Sequence, residues 1–180
     1  AQMREHLTDH VIVAGFGRVG RAAAEATVRG GSRCEVIDID DSREEAIVAM
    51  GAMFLRGDAR DATVLRHAGV NHAAALIISL DDPSNAVVAL TARSMAPELR
   101  IVSRVTDLAW RNRLLRAGAS EVVPVYESVG TSLAAVALDA EVRSVVPIAG
   151  TDMRVEEVEV GANSQAEGLD LRGVMDVATE

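Results

Sequence analysis

The sequence predicts an α/β fold, a doubly wound parallel sheet followed by the start of a small C-terminal α+β domain. Two observations indicate this class. Over the first two-thirds of the 180 residues, short apolar runs alternate with segments of helical character. That alternation is typical of a parallel sheet covered by helices on both faces. In addition, the first apolar run ends directly in Gly15-x-Gly17-x-x-Gly20, and a helix-like segment follows it.

The predicted elements follow one another in strict alternation. Gly30-Gly31 suit the end of the first helix, Ser42 the N-cap of the second, and Asp107 the N-cap of the fifth. Asp82-Pro83 opens the fourth helix, with Asp82 as its cap and Pro83 at the first helical position. The predicted strands cover residues 10–14, 34–38, 53–55, 74–79, 100–104 and 121–124, and the first four helices cover 18–29, 43–50, 61–68 and 83–95.

The glycine motif has the context of a Rossmann-like phosphate-binding turn. Gly15 permits the tight turn, Gly17 leaves room for a pyrophosphate, and Gly20 lets the helix pack closely on the strand. Asp38 closes the second strand, and a carboxylate there accepts hydrogen bonds from ribose hydroxyls and repels a 2′-phosphate. The alternative is that the glycines only form a tight turn and Asp38 only begins a loop.

Other candidate residues fall at the same edge of the predicted sheet. Asp58, Ser79 and Arg104 each lie at the carboxyl end of a predicted strand, as the glycine loop and Asp38 do. Ligands of open parallel sheets bind at that edge. The positions therefore predict one ligand cleft.

Composition narrows the class of protein. The net charge of −9 disfavours nucleic-acid binding, which depends on neutralising phosphates. No apolar run approaches the ~20 residues that cross a bilayer, and charged residues interrupt the N-terminus, so no secretory signal is expected. The single cysteine, Cys34, fits a reducing cytoplasm and a packing role.

The segment after the sixth strand differs from the rest. Residues 128–140 predict a helix that is apolar on nearly all sides, which requires cover from a partner subunit or from the chain's own tail. A strand is expected over 153–160, then a turn-rich stretch and an apolar segment over 169–177. We therefore predict a nucleotide-binding domain over 1–126, a crossover and dimerisation helix with a linker over 127–150, and a partial C-terminal domain over 151–180.

A series of short motifs in this order resembles the regulator-of-potassium-conductance (RCK) domain, of the TrkA-N type, found in Trk/Ktr potassium transporters and potassium channels. The matching motifs are Gly15-Phe16-Gly17-Arg18-Val19-Gly20, Val36-Ile37-Asp38-Ile39-Asp40, Gly57-Asp58-Ala59, Ile78-Ser79-Leu80-Asp81-Asp82 with Asn85, Ser103-Arg104-Val105, Asn112-Arg113 with Ala117-Gly118-Ala119, and Glu121-Val122-Val123-Pro124. The resemblance covers about residues 9–147, and residues 152–180 are similar to the opening of the family's second domain.

The resemblance implies the parts of a site for NAD, ADP or ATP. It places the phosphates on the glycine loop, with Arg18 reaching terminal phosphates and Asp38 on the ribose. It places Asp58 and Ala59 beside the adenine, and Ser79, Leu80 and Arg104 along the cleft. The implied binding residues are Gly15, Phe16, Gly17, Arg18, Val19, Gly20, Asp38, Ile39, Asp58, Ala59, Ser79, Leu80 and Arg104. For Arg18 and Arg104, the alternative is a surface salt bridge.

The resemblance also implies a function. It indicates a cytoplasmic domain at the inner face of the membrane that gates a potassium channel or transporter and pairs into homodimers that build a ring. An NAD-dependent oxidoreductase fragment is the alternative. That alternative is disfavoured because none of the four histidines falls at the predicted cleft and no substrate domain follows.

The acidic residues that follow the second strand are candidates for a metal site. Some family members bind calcium, and the candidates here are Asp38, Asp40, Asp41, Glu44 and Glu45. The alternative is a solvated helix start, where acidic residues suit the helix dipole. Calcium is kept as a candidate further ligand, no residue is assigned to a metal site, and no Cys/His spacing indicates zinc.

Overall fold

The computed structural model describes residues 8–138, 142–148 and 151–156, with side chains over the first of these ranges. The strands are β1 Val11–Ala14, β2 Cys34–Asp38, β3 Met53–Arg56, β4 Ala75–Ile78, β5 Arg100–Val105, β6 Glu121–Pro124, β7 Val142–Ile148 and β8 Thr151–Glu156. The helices are α1 Arg18–Arg29, α2 Glu44–Ala49, α3 Ala62–His67, α4 Asp82–Met95, α5 Arg111–Arg116 and α6 Val125–Leu138. Short 3-10 turns cover Asp41–Arg43, Val70–His72 and Leu108–Trp110.

The first six strands form one parallel sheet in the order β3-β2-β1-β4-β5-β6. The chain winds outward from β1 to β3, returns to β4 beside β1, and then winds the other way. This arrangement confirms the predicted doubly wound fold. It places the point where the winding direction changes between β1 and β4, and a crevice opens there at the carboxyl ends of the strands.

Each face of the sheet is covered by its own apolar cluster. In β1, Ile12 and Ala14 belong to the cluster under α3, α4 and α5, whereas Val13 belongs to the cluster under α1 and α2. This alternation follows from the two-residue period of a strand. Cys34 is buried in the second cluster, where burial and the adjacent Glu35 carboxylate raise the pKa of its thiol to about 11.

Several helices begin differently from the prediction. The N-cap of α4 is Asp81, whose side chain accepts a hydrogen bond from the Ser84 amide at 3.0 Å. Asp82 is instead the first helical residue and is buried. Ser42 caps no helix, because Asp40 caps a 3-10 turn that precedes α2. Two acidic residues in a row satisfy the same capping rule, so the sequence alone does not decide between them.

The chain divides into two units after Tyr126. In the second unit, β7 and β8 form an antiparallel hairpin, so part of the expected linker is a strand. Helix α6 begins at Val125, three residues earlier than predicted. The predicted strand over 153–160 overlaps β8, and the predicted segments from 161 onward lie outside the described residues. The proposed domain boundaries, including the one after residue 150, remain predictions.

Within the described residues, we find no helix with both the length and the apolar character needed to cross a membrane.

Candidate functional site

Two of the three motif glycines are required by the fold. Gly15 has a φ of +92°, and an added Cβ would lie 2.7 Å from the Leu80 side chain. A Cβ on Gly20 would overlap the carbonyl oxygen of Gly15. The tight turn and the close approach of α1 to the loop therefore exclude a side chain at both positions.

Gly17 is different, because nothing in the fold requires a glycine there. Its φ is −74°, and an added Cβ would meet no atom within 4 Å. Gly17 is the N-cap of α1, no side chain caps the helix, and no acidic residue lies in its first turn. The first backbone N–H groups of a helix lack intrahelical acceptors and carry partial positive charge. The open space at Gly17 therefore faces an uncapped helix N-terminus.

Asp38 holds the glycine loop in place. One carboxylate oxygen accepts a hydrogen bond from the Phe16 amide at 2.6 Å, and the other accepts one from the Asp40 amide at 3.0 Å. Phe16 itself is buried under the loop, whereas the neighbouring Ile39 side chain is exposed. Asp38 thus has a structural contact that the sequence did not predict, and its half-buried carboxylate remains at the edge where the strands end.

A cleft of about 420 Å³ opens beside this loop. Five of its lining residues were predicted from the sequence and three were not. The predicted ones are Gly17, Arg18, Val19, Ser79 and Arg104, and the additional ones are Thr106, Val125 and Tyr126. Thr106 directly follows β5, and Val125 directly follows β6. Extending the strand-end rule by two residues would therefore have found these two positions.

The cleft is cationic in an acidic chain. Arg18 and Arg104 line it, no carboxylate of the described residues does, and the chain as a whole carries a net charge of −9. Between residues 8 and 138, neither guanidinium has a hydrogen-bond or ion-pair partner. The alternative of a surface salt bridge therefore finds no support in this part of the chain, and two unpaired arginines converge on one cavity.

Ser79 adds an unsatisfied hydroxyl to the same wall. Its side chain is 7% exposed, and its Oγ has no hydrogen-bond partner among the described residues. Buried hydroxyls are nearly always satisfied in native proteins. The Oγ lies beside Gly20, 3.2 Å from the position of an added Cβ. Leu80, the next residue, packs against Gly15 instead of lining the cleft.

Asp58 and Ala59 do not line the cleft. Asp58 forms an ion pair with Arg60 at 2.6 Å, and the hydrogen bonds from Arg60 lower the pKa of its carboxyl. Ala59 is buried in the core. The segment lies beside the end of β2, because the Gly57 amide donates to the Asp38 carbonyl at 2.9 Å. The two residues thus lie on the β2–β3 side of the glycine loop.

Two of the acidic residues after β2 are paired with arginines. Asp40 pairs with Arg43 at 3.0 Å, and Asp41 pairs with Arg56 at 3.1 Å. Hydrogen bonds from Ser42 and Arg43 lower the pKa of Asp40. In the described part of the chain, no three His, Cys, Asp or Glu side chains converge as a metal site would require.

The described histidines lie away from the cleft. His10 is fully buried just before β1, at the opposite end of the strands, and its Nε2 donates to the Ala68 carbonyl at 2.8 Å. His67 ends α3, and His72 ends the 3-10 turn before β4. Among the described residues, hydroxyl and guanidinium groups line the cleft and no imidazole does.

The strand order, the glycine turn and a cleft at the change of winding direction define a Rossmann-like domain. The TrkA-N domain family model matches residues 11–125. The chain belongs to the TrkA-N domain family, as the motifs predicted.

Known relatives are potassium-transport proteins. The glutathione-regulated potassium-efflux system protein KefC of Cronobacter sakazakii is 34% identical over 112 residues, which are 62% of this chain and 18% of KefC. The chain thus matches less than a fifth of the curated relative.

Three solved structures are similar over most of the chain. GsuK bound to ADP is 25% identical with a TM-score of 0.66, covering 73% of this chain and 35% of that one. The Shewanella denitrificans Kef C-terminal domain in its AMP-bound form is 25% identical with a TM-score of 0.61, covering 72% and 80%. The GsuK channel has also been solved bound to NAD, at 25% identity, a TM-score of 0.65, and coverage of 70% and 23%.

Proposed function

We propose that this chain is a ligand-sensing regulatory domain that binds an adenine nucleotide and gates a potassium channel or potassium transporter. The observation that carries the proposal is the cationic cleft at the uncapped N-terminus of α1. A helix N-terminus beside two unpaired arginines is suited to bind phosphates. The similar proteins GsuK and the Kef C-terminal domain, which hold NAD, ADP or AMP, support this ligand class.

The ligand's parts fit the residues around the loop. The phosphates lie over Gly17 and the start of α1, between Arg18 on one wall and Arg104 on the other, with the Ser79 hydroxyl as a further partner. A carboxylate accepts about four hydrogen bonds, so Asp38 binds the ribose while it holds Phe16. The adenine then lies toward Asp58 and Ala59 on the β2–β3 side.

We infer a regulatory role without catalysis. No imidazole or carboxylate lines the cleft, so the described residues offer no ordinary acid–base pair for hydride transfer. NADH turnover by this chain with a small carbonyl substrate would establish the oxidoreductase alternative instead.

Gating requires that the nucleotide bind two conformations of an assembly with different affinity. We propose a homodimer built on α6, extended to a ring of RCK domains at the inner face of the membrane beneath the pore. Val129, Leu133 and Val136 are exposed and recur at helical spacing, so they form one apolar face of α6. We do not extend the proposal to calcium, because arginines already occupy Asp40 and Asp41.

Isothermal titration calorimetry with AMP, ADP, ATP, NAD⁺ and NADH tests the binding proposal. Arg18→Gln should weaken the tightest ligand by about tenfold or more, since hydrogen bonds to charged groups are worth ~1.5–3 kcal/mol. Arg29→Gln is the matched control, because Arg29 is exposed in the last turn of the same helix. The proposal fails if the unmodified chain binds none of the five nucleotides.

A further inference from the structure

Strands β4 and β5 separate at the wall of the cleft that contains Arg104. The pairing of β4 with β5 ends at Ile78 and Ser103. Ser79 continues from one strand and Arg104 and Thr106 from the other, and all three line the cleft. Beyond the last pair, no ladder hydrogen bond joins these two described segments directly: the Ser79 amide donates to the Ala14 carbonyl of β1 at 2.9 Å, and Arg104 pairs with Val123 of β6.

Asn85, from the first turn of α4, bridges the gap. Its Oδ1 accepts a hydrogen bond from the Leu80 amide at 2.8 Å, and its Nδ2 donates to the Arg104 carbonyl at 3.0 Å. The residue is fully buried. The side-chain amide thus replaces a ladder hydrogen bond between the two diverging strands.

Asp82 extends this bridge along the second segment. One turn before Asn85, its buried carboxylate accepts hydrogen bonds from the Thr106 amide at 3.1 Å, the Thr106 hydroxyl at 2.7 Å and the Asp107 amide at 2.9 Å. We call Asp82 and Asn85 the strand wedge.

We propose that the strand wedge sets the width of the cleft, so that Asp82 and Asn85 are positioning residues for nucleotide binding. Neither side chain lines the cleft. Asn85 acts through Leu80 and Arg104, and Asp82 acts through Thr106 and Asp107. The attachment of α4 to the sheet does not depend on them, since Val88, Ala89 and Ala92 are fully buried against it. This inference rests on the proposed nucleotide binding.

A double-mutant cycle measured by calorimetry tests the inference. Asn85→Ala and Arg104→Gln should each weaken binding of ADP or NAD⁺ by about tenfold. The double variant should lose little beyond either single variant, because Asn85 acts through the position of Arg104. Arg18 lies on the other wall. When Asn85→Ala is combined with Arg18→Gln, the two losses of affinity should therefore multiply. If the losses of affinity multiply in the cycle with Arg104→Gln as fully as in the cycle with Arg18→Gln, the inference is overturned.

Three further variants separate positioning from loss of stability. Val88→Ala removes buried volume from the same helix, so it should lower the melting temperature and leave the affinity unchanged. Asn85→Asp keeps the acceptor for Leu80 and loses the donor to Arg104, and should bind more weakly than the unmodified chain. If Asn85→Ala does not fold, Asn85→Asp and Asp82→Asn take its place in the cycle. Unchanged affinity in both replacements would overturn the inference.

NMR spectra of the nucleotide-free protein test the strand wedge without any ligand. Asn85→Ala should shift the backbone amide resonances of Arg104, Thr106 and Asp107 as well as that of Leu80. Shifts confined to the first turn of α4 would overturn the strand wedge, even if no nucleotide binds. Failure of the unmodified chain to bind would instead overturn the proposed function.

Discussion

At the scale of single residues, glycine occupies the three motif positions for different physical reasons. The backbone requires Gly15 and Gly20, because one has a positive φ and the other touches the loop's carbonyl oxygen. Gly17 lies in open space with an ordinary φ. We propose that Gly17 leaves room for a ligand that approaches its backbone.

We therefore predict that alanine substitutions at Gly20 and Gly17 differ in their effect on the free energy of unfolding. Gly20→Ala should lower the free energy of unfolding by about 2–3 kcal/mol, the cost of forcing an atom into a packed site. Gly17→Ala should change it by less than about 1 kcal/mol, while Gly17→Val should nearly abolish nucleotide binding. Urea unfolding and calorimetry provide the two measurements.

A suitable control is Gly130→Ala, which also places a Cβ in open space but on α6. It should affect nucleotide binding little. Tight binding by Gly17→Val would remove the glycine loop from the site.

A second residue-scale prediction concerns His10. Burial lowers its pKa below 6.5, with Arg33 opposing the charge further, although the Ala68 carbonyl acts in the other direction. In the unfolded chain His10 therefore binds a proton near pH 6.5, whereas in the native chain it binds one only at lower pH. Stability should fall as the pH drops below about 6.5, with a slope of at most ~1.4 kcal/mol per pH unit for one proton.

Urea midpoints between pH 7.5 and 5.0 measure this slope. In His10→Asn the stability at pH 7.5 should be lower and its dependence on pH over this range weaker. An equal slope in the variant would assign the acid sensitivity to other groups.

At the scale of elements, α4 shows how a capping position is decided. Hydrogen bonds from Ser84 lower the pKa of Asp81, as expected for an ionised N-cap. Asp81→Ala should lower the free energy of unfolding by about 1 kcal/mol, and Asp81→Asn should restore most of the loss. Thermal unfolding of the two variants measures this. A full loss in Asp81→Asn would show that the charge matters more than the cap.

At the scale of the whole molecule, the exposed face of α6 predicts a dimer. Leu133→Arg or Val136→Glu should yield monomers or insoluble protein, because each would bury an unpaired charge. Thr131→Glu, on the opposite side of the helix, should remain dimeric. Light scattering at tens of micromolar decides, and a folded monomer of the unmodified chain would contradict the dimer.

The sequence by itself determined the sheet, its helices and the edge at which the site lies. These follow from local rules: apolar periodicity, glycine at a tight turn, and the shared direction of parallel strand ends. Those rules placed Gly17, Arg18, Ser79 and Arg104 at one cleft, and they placed Asp58 there as well, although Asp58 does not line it. The family's motifs added the expected ligand class.

The tertiary structure alone decided which side chains meet. Asp38 holds Phe16 across 22 residues, and Asp82 and Asn85 reach residues 104–107 from another element. Such contacts depend on how far two strands separate and how a helix packs, which no local pattern encodes. For the same reason the sequence assigned the cap of α4 to Asp82, although that carboxylate accepts hydrogen bonds from the Thr106 and Asp107 amides. Thr106 and Tyr126, by contrast, lie within two residues of a strand end, so a wider strand-end rule finds them.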